Sequence, residues 1–194
     1  HALAIRQKWE GIVSGEVPYE QWRFDAVDRE IVETILLDKL EIAPREEAEQ
    51  LLRCLRDSGL LDLRIHEARQ HTGWRRRNAL VALGRMRAPE VIPALSHALD
   101  DHHAETRMAA VRGLGRLGLP EAAIPILERV VIGELNLPPT PLQNALLNCC
   151  RWRPGMMVPY LRKATDETRA LLARVLGEIA TGELDEDLLL LAYD

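Results

Sequence analysis

Apolar residues in the second half of the chain recur at helical spacing, and the pattern itself repeats. RRNALVALG (residues 76–84), RMAAVRGLG (107–115) and RALLARVLG (169–177) each carry an arginine, then a small or apolar residue three later, leucine at seven and glycine at eight. LQNALLNCC (142–150) keeps the apolar spacing but puts Leu142 in the arginine slot and Cys150 in the glycine slot, so it is a degenerate copy. The closing positions 84, 115, 150 and 177 stand 31, 35 and 27 residues apart, the length of a helical hairpin. IPAL (92–95), IPIL (124–127) and VPYL (158–161) follow the first three copies. Proline is tolerated in the first turn of a helix, where its missing N–H has no partner to lose. Each repeat therefore reads as a first helix, a short loop (MRAPE, LGLPE or RWRPG), and a second helix opening near its proline. Such hairpins bury their apolar faces only by stacking.

The first seventy residues are less regular. YEQWRFDAVDREIVETILLDKL (19–40) places Trp22, Val27, Ile31, Ile35 and Leu36 near helical spacing, and PREEAEQLLRCLRDSGLL (44–61) opens with proline and acids and closes on Ser-Gly, as a capped helix does. A third helix is predicted over 60–70. The division is a helical extension at 1–72 and about four hairpins at 73–194, the third degenerate and the last open to truncation. LDEDLLLLAYD (184–194) reads as the final second helix, and its leucines 188–191 would leave an apolar surface unless the chain continues or meets another chain.

Composition supports an all-helical, ordered, soluble chain. Hydrophobic residues make up 47% and aromatics only 4%, so alanine, leucine, arginine and glutamate set the character. No run of ~18 uncharged apolar residues suggests a membrane span, and no secretory leader is visible. Cys54, Cys149 and Cys150 are an odd number, which points to a reduced, cytoplasmic setting rather than a disulfide framework. The net charge of −5 is uneven: residues 61–120 carry +4 while the segments on either side are acidic. That excess is well short of a dedicated nucleic-acid binder.

Candidate chemistry concentrates in DDHHAETR (100–107). AETR (104–107) returns as DETR (166–169), so the acid-rich lead-in is an inter-hairpin turn where Asp100 or Asp101 serves free N–H groups. His102 and His103 do not recur, point in different directions and have no ligand partner at helical spacing, so neither a metal nor a cofactor is implied. Arg76, Arg107 and Arg169 suit bridging of turn acids and carbonyls between repeats, and glycines 84, 115 and 177 suit helix ends or close packing. Trp74 is expected to pack on the preceding helix. Cys149 and Cys150 occupy the repeat's Leu-Gly slots as small packing residues.

Aligning the second helices on their prolines places Ile92, Ile124 and Val158 with Leu95, Leu127 and Leu161 on an apolar face. Four residues after the proline come His97, Arg129 and Lys163, a basic column across three stacked helices, with Ala94, Ile126 and Tyr160 beside it.

These motifs resemble the short HEAT-like repeats of bacterial type, also called PBS-lyase HEAT-like, over residues 73–194. The resemblance implies a right-handed α-α superhelix whose second helices line a concave surface, so the column would face a protein partner there. It also allows a membrane anchor ahead of the repeats. HEAT-like enzymes exist, but their chemistry is not matched: deoxyhypusine hydroxylases hold iron with repeated His-Glu pairs, and His66-Glu67 stands alone outside the repeats. The reading is a non-enzymatic protein-interaction scaffold with an unidentified partner, docking through His97, Arg129, Lys163, Tyr160 and Ile126. A nucleic-acid or anionic-ligand binder using Arg75, Arg77, His97, Arg129 and Lys163 is the alternative. A lyase or DNA glycosylase comes third.

Overall fold

The computed structural model describes residues 26–180, together with Gly11 and Glu16. The expectations placed on Trp22 and on residues 184–194 lie outside the described residues. Among the described residues there are ten α-helices, two short 3-10 segments and no strand. Helices α1 (Ala26–Ile42), α2 (Arg45–Asp57) and α3 (Leu60–Gln70) come first. Pro44 and the acidic first turn of Glu46 and Glu47 open α2, and Gly59 at φ 71° turns the chain into α3, a backbone conformation that glycine adopts without penalty. A largely buried Arg64 ties α3 to α1 through both carboxylate oxygens of Glu33, and also reaches Glu67 at 2.6 Å.

The hairpins follow as α4 (Gly73–Met86) with α5 (Ile92–Ala98), α6 (Ala104–Leu117) with α7 (Pro120–Val131), and α8 (Pro139–Cys150) with α9 (Val158–Lys163), ending in α10 (Asp166–Ile179). The first helices α4, α6, α8 and α10 pack side by side in one layer, and α5, α7 and α9 form a second. Helix α1 packs on α4, and α3 on both α4 and α5, so the same two layers continue toward the N-terminus. One apolar core runs from Val32 on α1 to Leu176 on α10. This is an all-α solenoid of stacked hairpins.

Glycine sets the distance between the first helices. A Cβ on Gly84 would lie 2.6 Å from the Cα of Gly113, and one on Gly115 would lie 2.7 Å from the Cα of Ala145. The repeated glycine is therefore a backbone contact between neighbouring helices at two of its three positions. At Gly177 a Cβ would meet nothing within 4 Å among the described residues, so close packing does not explain the third.

The second helices are less uniform than the proline alignment predicts. In the first and third hairpins a 3-10 segment (Pro89–Val91, Pro154–Met157) precedes a short helix opening at the IPAL or VPYL proline. In the second hairpin the helix already starts at Pro120, so Pro125 lies inside it. The roll of the helix changes with its start: Pro93 and Pro159 are exposed, whereas Pro125 is buried and Ile124 is 39% exposed. Ile124 therefore leaves the apolar face that its alignment with Ile92 and Val158 gave it.

Candidate functional site

The acid-rich turn before α6 is a structural junction. Asp101 accepts from Arg76 Nη1 at 2.6 Å with one oxygen, and from the His103 backbone N–H at 2.8 Å and ring at 3.1 Å with the other. Burial pushes its carboxyl upward, but the His103 N–H and ring and the Arg76 guanidinium outweigh that and hold it below the usual range. Of the two acids Asp101 serves the turn, while Asp100 reaches sideways to α7. Arg107 donates to the carbonyls of Asp101, His102 and Leu135 at 2.8, 3.0 and 2.9 Å. Arg169 donates to Leu161 and Ala164 at 3.3 and 2.9 Å. The three recurrent arginines thus bind turn acids and turn carbonyls, a geometry that a planar five-donor guanidinium suits. His102 and His103 are exposed, and the described residues contain no group of three or more metal-ligating side chains.

The predicted basic column is broken by this network. His97 is exposed, with its Nδ1 3.2 Å from Arg76 Nη2. Lys163 is exposed at the end of α9, and Tyr160 is half-buried, its phenol raised by burial and by the nearby Glu128 carboxylate. Arg129 is different: its Nε and Nη2 grip both oxygens of Asp100 at 2.6 and 2.8 Å, and its Nη1 turns back to the Pro125 carbonyl. The Arg129 guanidinium in turn holds the Asp100 carboxyl below its ordinary range. With α7 rolled, Ile124 and Glu128 face solvent where the alignment put Arg129.

Ile126 and Ala94 are buried in the core and present nothing to a partner. An inner helix of a stack is covered by its own hairpin mate and by both neighbours. Its buried arc is therefore wider than the single face the spacing suggested, and it takes in the residue next to the proline. Arg75 and Arg77 sit on α4 in the other layer; Arg75 is exposed, and Arg77 pairs with Glu105 at 3.1 Å. They do not join His97, Arg129 and Lys163 in one surface. Trp74, expected to pack, is 66% exposed on the first turn of α4.

Cys149 and Cys150 are fully buried. The Cys149 thiol donates to the Leu114 carbonyl of α6 at 3.3 Å, and burial pushes it up to about 12 and Cys150 to about 11. At neutral pH both are protonated packing groups, without the thiolate that nucleophilic or redox chemistry needs.

The proline alignment hides Ile124 as a surface residue, because Pro125 lies inside α7 rather than at its start. The signal was Pro120 with Glu121, itself a helix-opening pair. Residues 61–132, from the start of α3 to the end of α7, match the family model for HEAT repeats. No curated protein matches the chain.

Proposed function

We propose that the chain, whose residues 61–132 match the HEAT-repeat family model, is a HEAT-like repeat protein that acts as a non-enzymatic scaffold and docks a protein partner on the surface of its second helices. HEAT repeats generally act as protein-interaction scaffolds. The observation that carries the reading is the mixed surface of α5, α7 and α9: Ile124 and Tyr160 offer apolar area, with His97, Glu128 and Lys163 around them. A large apolar residue held in solvent by a rigid layer suits an anchor that loses little freedom on binding. Among the cations proposed for an anionic ligand, Arg129 and Arg77 already hold carboxylates, and Arg75 and Arg77 stand on the other layer, which disfavours a continuous phosphate track.

The test is affinity capture from host lysate by the parent chain and by a variant carrying Ile124→Asp, Tyr160→Ala and Lys163→Glu, with and without nuclease. A protein retained by the parent and lost by the variant in both conditions is the expected result. Capture that disappears with nuclease, or that weakens steeply with salt, would favour the anionic-ligand alternative, because phosphate contacts release counterions. No helix among the described residues is long and apolar enough to cross a membrane.

A further inference from the structure

The first-helix layer holds a second surface feature. Val81 on α4 is 49% exposed, an unusual place for a β-branched apolar side chain in mid-helix. It borders a groove of about 320 Å³ between α4 and α6, floored with Met108, Ala109 and Gly113 and edged by Arg112 and Arg116. In the repeat alignment Val81 stands where Arg112 and Arg174 stand in later copies, so the apolar residue replaces a cation at this one crevice. The glycine at 113 lets α4 and α6 approach closely, which keeps the groove narrow and its floor fixed.

The charge around the groove is unevenly matched. Glu105 at its near end is matched by Arg77 at 3.1 Å. At the far end Arg116 reaches only Glu41, at 3.7 Å, and the Arg112 side chain has no ion pair or hydrogen bond among the described residues. Both guanidiniums are exposed and one helical turn apart, at i and i+4 on α6.

We infer that this groove docks an acidic amphipathic helix of a partner protein, with an apolar side chain seated against Val81 and Met108 and carboxylates paired to Arg112 and Arg116. An amphipathic helix lays apolar anchors at i, i+3, i+4 and i+7 into such a groove. Carboxylates flanking those anchors complete a pairing for which guanidinium is well shaped. Nucleic acid fits less well, since two cations beside an apolar floor give it little to hold. The groove shares no residue with the second-helix surface, so the two readings stand or fall apart.

The probe is a dye-labelled synthetic helix-forming peptide with leucines on one face and glutamates flanking them, titrated against the full chain by fluorescence anisotropy. Controls are a scrambled peptide of the same composition and a version with lysine for glutamate. The expected result is binding of the first peptide only, weakened at least about tenfold by Val81→Glu and by Arg112→Glu with Arg116→Glu, and unchanged by Ile124→Asp with Lys163→Glu. Val81→Ser removes the apolar contact at the same exposed site without adding charge, and covers the case in which Val81→Glu fails to fold. Absence of binding, equal binding by the scrambled peptide, insensitivity to the groove substitutions, or preference of the arginine pair for a single-stranded oligonucleotide would each overturn the inference.

Discussion

The two layers of the solenoid are built to different tolerances. The first helices run 14, 14, 12 and 14 residues and meet through backbone, Gly84 on Gly113 and Gly115 on Ala145. The second helices run 7, 12 and 6 residues; α5 and α9 both open one residue before their prolines, whereas α7 opens five residues before Pro125 and is rolled accordingly. Where backbone touches backbone, even a methyl group is too large, and register is fixed. Where side chains mediate the contact, a helix can start earlier and turn, as α7 does, and present a different face to solvent. The first layer sets spacing, and the second supplies variety.

The contrast is broken most severely at the turn that joins the layers. Asp101→Ala leaves a nearly buried Arg76 without its carboxylate and should lower unfolding free energy by about 3 kcal/mol, read from denaturant midpoints. Within the first layer, Gly84→Ala or Gly115→Ala should cost about 2 kcal/mol, because the new methyl meets a neighbouring backbone. Gly177→Ala, at the same repeat position but with open space around it, should instead gain about 0.5–1 kcal/mol from helix propensity. Equal penalties at all three glycines would show that the packing difference is not real. In the second layer Ile124→Asp should cost about 1 kcal/mol in thermal melts, less than the glycine substitutions, since part of its side chain already faces solvent.

Acid titration sharpens the same comparison. Asp100 and Asp101 both have carboxyls held below the ordinary range in the folded state. Their contribution is complete above the unfolded value of ~3.9 and is lost as pH falls through the lowered folded values. Asp101→Asn should therefore flatten the stability profile below about pH 4 while leaving its shape at neutral pH unchanged. The smallest effect is chemical: at pH 8 Cys149 and Cys150 should resist iodoacetamide in the native protein and react only once denatured, by mass spectrometry.

How much of this was legible follows from the same division. The recurrent arginine and glycine positions mark hairpins, and the arginines' bonds to turn acids and carbonyls follow from guanidinium chemistry once the turns recur. The helices beginning at Arg45 and Leu60 follow from local punctuation, Pro44 and Gly59. The surface of the second layer was harder to read, because it depends on the roll of α7, and that is settled by Pro120 and by tertiary contact rather than by the aligned Pro125. Ile126 was misplaced because periodicity gives one apolar face, whereas a helix inside a stack is covered from three sides. Trp74 and Val81 show the converse: apolar type suggests burial, yet both side chains stand in solvent.

The arginine ties also bear on how the molecule would carry a pulling force. Arg107 and Arg169 each fasten a helix to the carbonyls of the turn before it, and Arg107 reaches on to Leu135 as well. In the degenerate third copy Leu142 stands in that slot, buried beside Leu135 and Leu171, and the side-chain tie from α8 to α10 is Gln143 to Glu178 at the surface. Apolar contact resists separation but little resists sliding. Under tension the joint between α8 and α10, which has Gln143 with Glu178 and Thr168 donating to the Val130 carbonyl but no arginine from α8, would be expected to slide before the arginine-tied repeats ahead of it.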